Sequence, residues 1–109
     1  MNETNAIIVF CTCPDQQIAE SISHHLVSEG LAACVNILPG IRSCYLWQGE
    51  VETDDELLLV MKTHADCYQA LQAAILTLHP YELPEVIAVP IDRGLPAYLD
   101  WISKSTQSP

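Results

Sequence analysis

Leu31-Ala32-Ala33-Cys34-Val35-Asn36-Ile37-Leu38-Pro39-Gly40-Ile41-Arg42-Ser43-Cys44-Tyr45-Leu46-Trp47-Gln48-Gly49 is the stretch on which the fold turns. Leu31 to Leu38 is apolar enough for a buried strand. Pro39-Gly40 interrupts it, and Ile41 to Gln48 resumes extended chain, with Cys44 and Leu46 on one face and Tyr45 and Trp47 on the other. A strand that breaks at Pro-Gly and then continues reads as one long strand with a bulge or bend. Gly49 sits where a hairpin must turn. The return arm, Glu50 to Thr63, begins with five acidic residues in seven and becomes a buried strand at Leu57-Leu58-Leu59-Val60-Met61.

Outward from this hairpin the pattern alternates. On the N-terminal side, Ala6-Ile7-Ile8-Val9-Phe10-Cys11 is a short β-branched run, the signature of a central strand buried on both faces. A helix follows. Thr12 or Cys13 precedes it, Pro14 suits its first turn, and Asp15 complements the positive end of its dipole. Ile18, Ile22 and Leu26, with Ser23 and Val27, form its stripe to about Glu29, and Gly30 is its C-cap. On the C-terminal side, Tyr68, Leu71, Ile75 and Leu78 mark a helix over 65–79 that Pro80 stops. Tyr81 to Glu85 is a loop, and Val86 to Ile91 a fourth strand. Gly94 and Pro96 open a short last helix with Tyr98, Trp101 and Ile102 on one side, and the chain is expected to fray from Ser103 to Pro109.

The order is β-α-β-β-α-β plus a C-terminal helix. This predicts an α+β fold of the ferredoxin-like kind, one domain over 1–109 with its core at about 6–103. Two helices cover one sheet face, yet the strands are apolar on both. With 109 residues a single core is thin, and half the residues are hydrophobic. Neighbouring copies of the chain are the natural cover for the second face.

Charge narrows the partners. Fourteen acidic residues against four basic ones give a formal net charge of −10. Nucleic acid and anionic membrane surfaces require Lys and Arg, so both are excluded, whereas cations are attracted. The start of the chain shows no basic segment before an apolar one, and no run approaches a membrane span, so a cytoplasmic protein is expected. Five cysteines, an odd number, fit a reducing compartment better than a disulfide framework. Enzyme motifs are absent: there is no Gly-rich phosphate loop, nucleophile elbow or His-Glu-x-x-His.

Five segments together resemble one family: Cys11-Thr12-x-Pro14-Asp15; Leu31-Ala32-Ala33-Cys34-Val35-Asn36 with Pro39-Gly40; Tyr45-x-Trp47-x-Gly49; His79-Pro80-Tyr81-x-x-Pro84-Glu85; and Tyr98-Leu99-x-Trp101. In this order, from about Ile7 to Ile102, they look like the CutA divalent-cation tolerance family. The resemblance implies a homotrimer of ferredoxin-like subunits similar in architecture to PII signalling proteins, with long bent hairpins pairing between subunits. It also implies tolerance of divalent metals, with copper binding assigned to some members. The family's assigned site joins the strand-end cysteine, here Cys11, to a His-His pair. Here Leu78 replaces the first histidine and His79 remains.

The chemistry-bearing residues are read accordingly. Cys11 and Cys13, two apart on extended chain, face the same side, and thiolates suit Cu(I) or zinc. A following helix N-terminus would lower a thiol pKa. With His79 they form the candidate metal set for copper or another divalent ion; the alternatives are packing for the cysteines and a helix-dipole contact for the histidine. Cys34, Cys44 and Cys67 read as core or interface residues. His24-His25 and the acidic run Glu50 to Glu56 read as solvated surface. Trp47, Lys62, Tyr81, Glu82 and Glu85 are candidates to line an intersubunit cleft, either binding a small ligand, as PII-like trimers do, or packing an interface.

Overall fold

The computed structural model describes residues 5–106. The chain runs β1 (Ala6–Cys13), α1 (Gln16–Ser28), β2 (Cys34–Trp47), β3 (Glu50–His64), a 3-10 turn (Ala65–Cys67), α2 (Tyr68–Leu78), β4 (Ile87–Pro90) and α3 (Pro96–Ser105). The four strands form one antiparallel sheet in the order β2-β3-β1-β4. This is the expected ferredoxin-like arrangement, an α+β fold.

The long hairpin follows its sequence closely. Leu38 pairs with Leu58 and Ile41 with Glu56, so Pro39 and Gly40 together oppose Leu57 alone. That is a bulge, and Gly40 occupies its left-handed position at φ +84°. At the tip, Trp47 pairs with Glu50 across Gln48-Gly49, both with positive φ, which makes the two-residue turn that matches strand twist. β1 pairs with β3 only from Leu57 to His64. The tip half of the hairpin therefore projects past the sheet as a two-stranded ribbon.

Strand alternation sends Val9, Cys11 and Cys13 of β1 and Leu57, Leu59 and Met61 of β3 to one face. There they pack against Ala19, Ile22 and Leu26 of α1 and Leu71 and Ile75 of α2. The opposite face carries Ile8, Phe10, Leu58, Val60, Ile87 and Val89, related by the pairing register. α3 covers only its corner, where Ile102 closes on Ala6 and Ala33. Ile87 and Val89 stay exposed, as do Tyr98 and Trp101 of α3.

Several boundaries differ from the sequence reading. β1 continues through Thr12 and Cys13, and Asp15 rather than either of them is the N-cap of α1, accepting a hydrogen bond from the Ile18 amide at 2.9 Å. Val27 lies off the α1 stripe and is exposed; Ala19 takes the buried place. β2 starts at Cys34, because the amides of Leu31 and Ala32 are spent on the Leu26 carbonyl at the end of α1. Residues 65–67 are 3-10 rather than α, capped by the His64 side chain. β4 is two residues shorter than expected. α3 holds to Ser105, where the Thr106 hydroxyl donates to the Ile102 carbonyl, so the fraying expected from Ser103 is not seen there; 107–109 lie outside the described residues.

Candidate metal centre and the adjoining cleft

β1 ends with its two thiols on the helix face, both fully buried. β4 pairs with β1 only as far as Phe10, so the Thr12 carbonyl lies beyond that ladder. His79 meets it there. Pro80 restricts the preceding residue to extended backbone, and His79 leaves α2 at φ −83°, ψ 135°, its amide still bonded to Ile75. Its ring folds back on β1. The ligand atoms of Cys11, Cys13 and His79 all lie within 4.8 Å of one another, and all three residues are buried.

The ring is fully engaged. Nε2–H donates to the Thr12 carbonyl at 2.7 Å, and Nδ1 accepts from the Tyr81 amide at 3.2 Å. A carbonyl only accepts and an amide only donates, so the partners set the neutral Nε2–H tautomer. The ring therefore bridges β1 and the 80–85 loop. To ligate an ion, His79 has to release one of these two partners.

The Cys11 thiol donates to the Thr12 carbonyl at 3.6 Å. Its interaction with the neighbouring Cys13, and then burial, push Cys11 far up, while the same interaction lowers Cys13. Cys13 is therefore the first of the two to lose its proton, and an arriving cation would displace the one held by Cys11. Burial, Glu56 and the capping Asp15 act on Cys13 in the opposite direction.

On the other sheet face, at the root of the ribbon, lies an open cleft of about 810 Å³. Tyr45 and Trp47 of β2, Glu56 of β3 and Tyr81, Glu82 and Glu85 of the loop line it. The Tyr81 hydroxyl donates to Glu56 Oε2 at 2.8 Å, and its ring lies 4.6 Å from that of His79. Burial and the Glu56 carboxylate push the Tyr81 phenol up. The Tyr45 hydroxyl donates to Asp54, which pushes it up to about 12.

The structure thus brings Cys11, Cys13 and His79 together, and gathers Trp47, Tyr81, Glu82 and Glu85 in one cleft. Lys62 is not among that cleft's lining; it sits opposite Cys34 in the register and donates to Asn36. Leu78 packs against the core. Cys34 is half-buried, Cys44 exposed at the cleft wall and Cys67 buried; His24 and His25 are exposed. One member of the acidic run departs from its surface reading: Glu56 is 7% exposed. Its parity is that of Leu58 and Val60, on the face away from the helices, so the strand pattern gave no sign of burial. The cover comes from the 80–85 loop, where Tyr81 reaches it. Thr12 reads in sequence as a residue leading into α1, and a backbone carbonyl on the side of β1 that β4 does not reach leaves no mark in sequence.

The description "CutA1 divalent ion tolerance protein" matches residues 7–105. The chain belongs to the CutA1 divalent ion tolerance family. Among its relatives is the divalent-cation tolerance protein CutA of Thermus thermophilus, 48% identical over 91% of this chain and 96% of that protein. The rice protein "CutA 1, chloroplastic" is 44% identical over 94% of this chain, which spans only 58% of that protein. The solved structure of CutA from Xylella fastidiosa superposes with a TM-score of 0.92 at 48% identity, covering 94% of this chain and 99% of that one. No helix among the described residues is long and apolar enough to cross a membrane.

Proposed function

We propose that this protein serves divalent-metal tolerance by binding a soft or borderline cation, copper or zinc, at Cys11, Cys13 and His79, without catalysing a reaction. One observation carries the reading: three buried side chains with sulfur and nitrogen donors converge within 4.8 Å. Metal–sulfur bonds of about 2.3 Å and metal–nitrogen bonds of about 2.0 Å require the three donors to draw closer and His79 to give up one of its two backbone partners. Two thiolates and one imidazole suit Cu(I) or zinc, and water or a neighbouring subunit would complete the shell. The family description supports the physiological side. Catalysis by a Cys–His pair is disfavoured because both His79 nitrogens are engaged with backbone and no acid orients the ring.

The test is calorimetry under reducing conditions with Cu(I) and with zinc, comparing wild type, Cys11→Ser, Cys13→Ser and His79→Ala. Tight binding lost in both cysteine variants supports the site; unchanged binding in all three places the metal elsewhere. The assembly belongs to the same proposal. A cytoplasmic homotrimer would cover the apolar face of Ile87, Val89, Tyr98 and Trp101, and a reducing compartment would keep the five thiols free.

A second reading is favoured by the cleft. Its volume lies in the range of small-molecule sites, and its lining mixes aromatic rings with a few polar groups, which supports a PII-like trimer that binds a small ligand or partner there.

A further inference from the structure

We propose that the cleft between the hairpin root and the 80–85 loop binds a small organic cation with N–H donors, an alkylammonium or guanidinium compound. The inference rests on the second reading above, that the cleft takes a ligand, and is independent of the metal centre.

Glu56 carries the argument. A buried carboxylate calls for a partner or good hydrogen bonds. Its one hydrogen bond among the described residues comes from the neutral Tyr81 hydroxyl to Oε2. No basic side chain lines the cleft. The four basic residues of the chain all have partners elsewhere: Arg42 with Asp55, Lys62 with Asn36, Arg93 with Asp92 and Lys104 with Asp100. The fold therefore buries a negative charge, aims it at a cavity and supplies no cation to meet it.

The walls specify the kind of cation. Glu82 and Glu85 add two carboxylates at the rim, while Tyr45, Trp47 and Tyr81 offer aromatic faces. Rings attract a cation through their quadrupole, most strongly when it is partly desolvated. A point ion fits less well: among the described residues the sole convergent set of metal-ligating atoms is Cys11, Cys13 and His79, so Glu56, Glu82 and Glu85 do not meet around one centre. Carboxylates spread along an aromatic cleft suit an elongated molecule with more than one N–H group. The net charge of −10 raises the local concentration of such a ligand.

The experiment uses the full chain with Trp101→Phe, so that Trp47 is the only indole, and follows its fluorescence on titration with 1,4-diaminobutane; calorimetry runs in parallel. Uncharged 1,4-butanediol is the control of matching length. The expected result is saturable binding of the diamine and none of the diol, weakened about tenfold or more by Glu56→Gln, as loss of one charge-assisted contact implies. Glu85→Gln, at an exposed position, keeps the test valid should Glu56→Gln misfold, and is expected to weaken binding less. Equal binding of diol and diamine, or binding unchanged in both glutamine variants, would overturn the cation assignment while leaving a ligand cleft standing. No response to either molecule, with Glu56→Gln breaking a larger assembly into monomers, would overturn it too and assign Glu56 to a contact with another copy of the chain.

Discussion

His79 shows how much one residue can be asked to do. Its ring closes the end of β1 on the side that β4 does not reach, through Thr12, and holds the 80–85 loop through the Tyr81 amide. His79→Ala is expected to lose both hydrogen bonds from a buried position and to destabilise the fold by about 1–3 kcal/mol in urea denaturation, with or without metal. A variant as stable as wild type would show that the ring is held for ligation alone. Metal affinity is expected to fall as pH drops, since both thiols and the imidazole must be unprotonated. Calorimetry at stepped pH reads this directly. Tyr45 gives a separate titration. Its hydrogen bond to Asp54 raises it to about 12 from an ordinary tyrosine value of about 10. The folded state holds that proton more tightly, so the contribution to stability is complete below about pH 10 and is lost as pH rises toward about 12. Ultraviolet titration of wild type against Asp54→Asn is expected to show one tyrosine ionising earlier in the variant.

At the scale of elements, the hairpin is governed by three residues with positive φ, namely Gly40, Gln48 and Gly49. Space is not what constrains Gly40: a Cβ there would have nothing within 4 Å, so the cost of replacing it is purely that of the backbone angle. Gly40→Val is expected to cost about 1–2 kcal/mol or more, read as a lower urea midpoint, because a β-branched side chain resists the left-handed region. An unchanged midpoint would mean that the bulge relaxes freely. Gln48 tolerates that region less well than asparagine does. Gln48→Asn is therefore expected to stabilise the turn by less than about 1 kcal/mol, and a loss of stability would contradict the two-residue turn geometry.

For the whole molecule, the uncovered sheet face and the acidic surface make the two testable demands. Ile87, Val89 and the tilted ring pair of Tyr98 and Trp101 form apolar surface that the described residues do not hide. Light scattering at micromolar concentration is expected to give three times the 12.1 kDa chain mass; a monomer at every concentration would require another cover for that face. Cation binding is expected to weaken as ionic strength rises to about 0.15 M, where the screening length is about 8 Å. Binding insensitive to salt would confine the attraction to the site itself.

The sequence alone determined the element order, the bulge at Pro39-Gly40, the turn at Gly49 and the helix stop at Pro80, because each is a local matter of φ, hydrogen-bond donors and apolar period. It also paired Cys11 with Cys13, since two residues of strand separate equivalent faces. What only the tertiary structure decided lies between elements far apart in the chain. His79 meets Thr12 across 67 positions, and Tyr81 meets Glu56 across 25. Glu56 reads in sequence as one more acid of a solvated run, and Lys62 as a companion of the cleft. Side-chain type and spacing contain no information on which face of a twisted ribbon a loop will cover. That is set by the packing of α2 against β1 and β3, which carries the 80–85 loop to the hairpin root, buries one glutamate there and leaves the lysine near the opposite end of the strand.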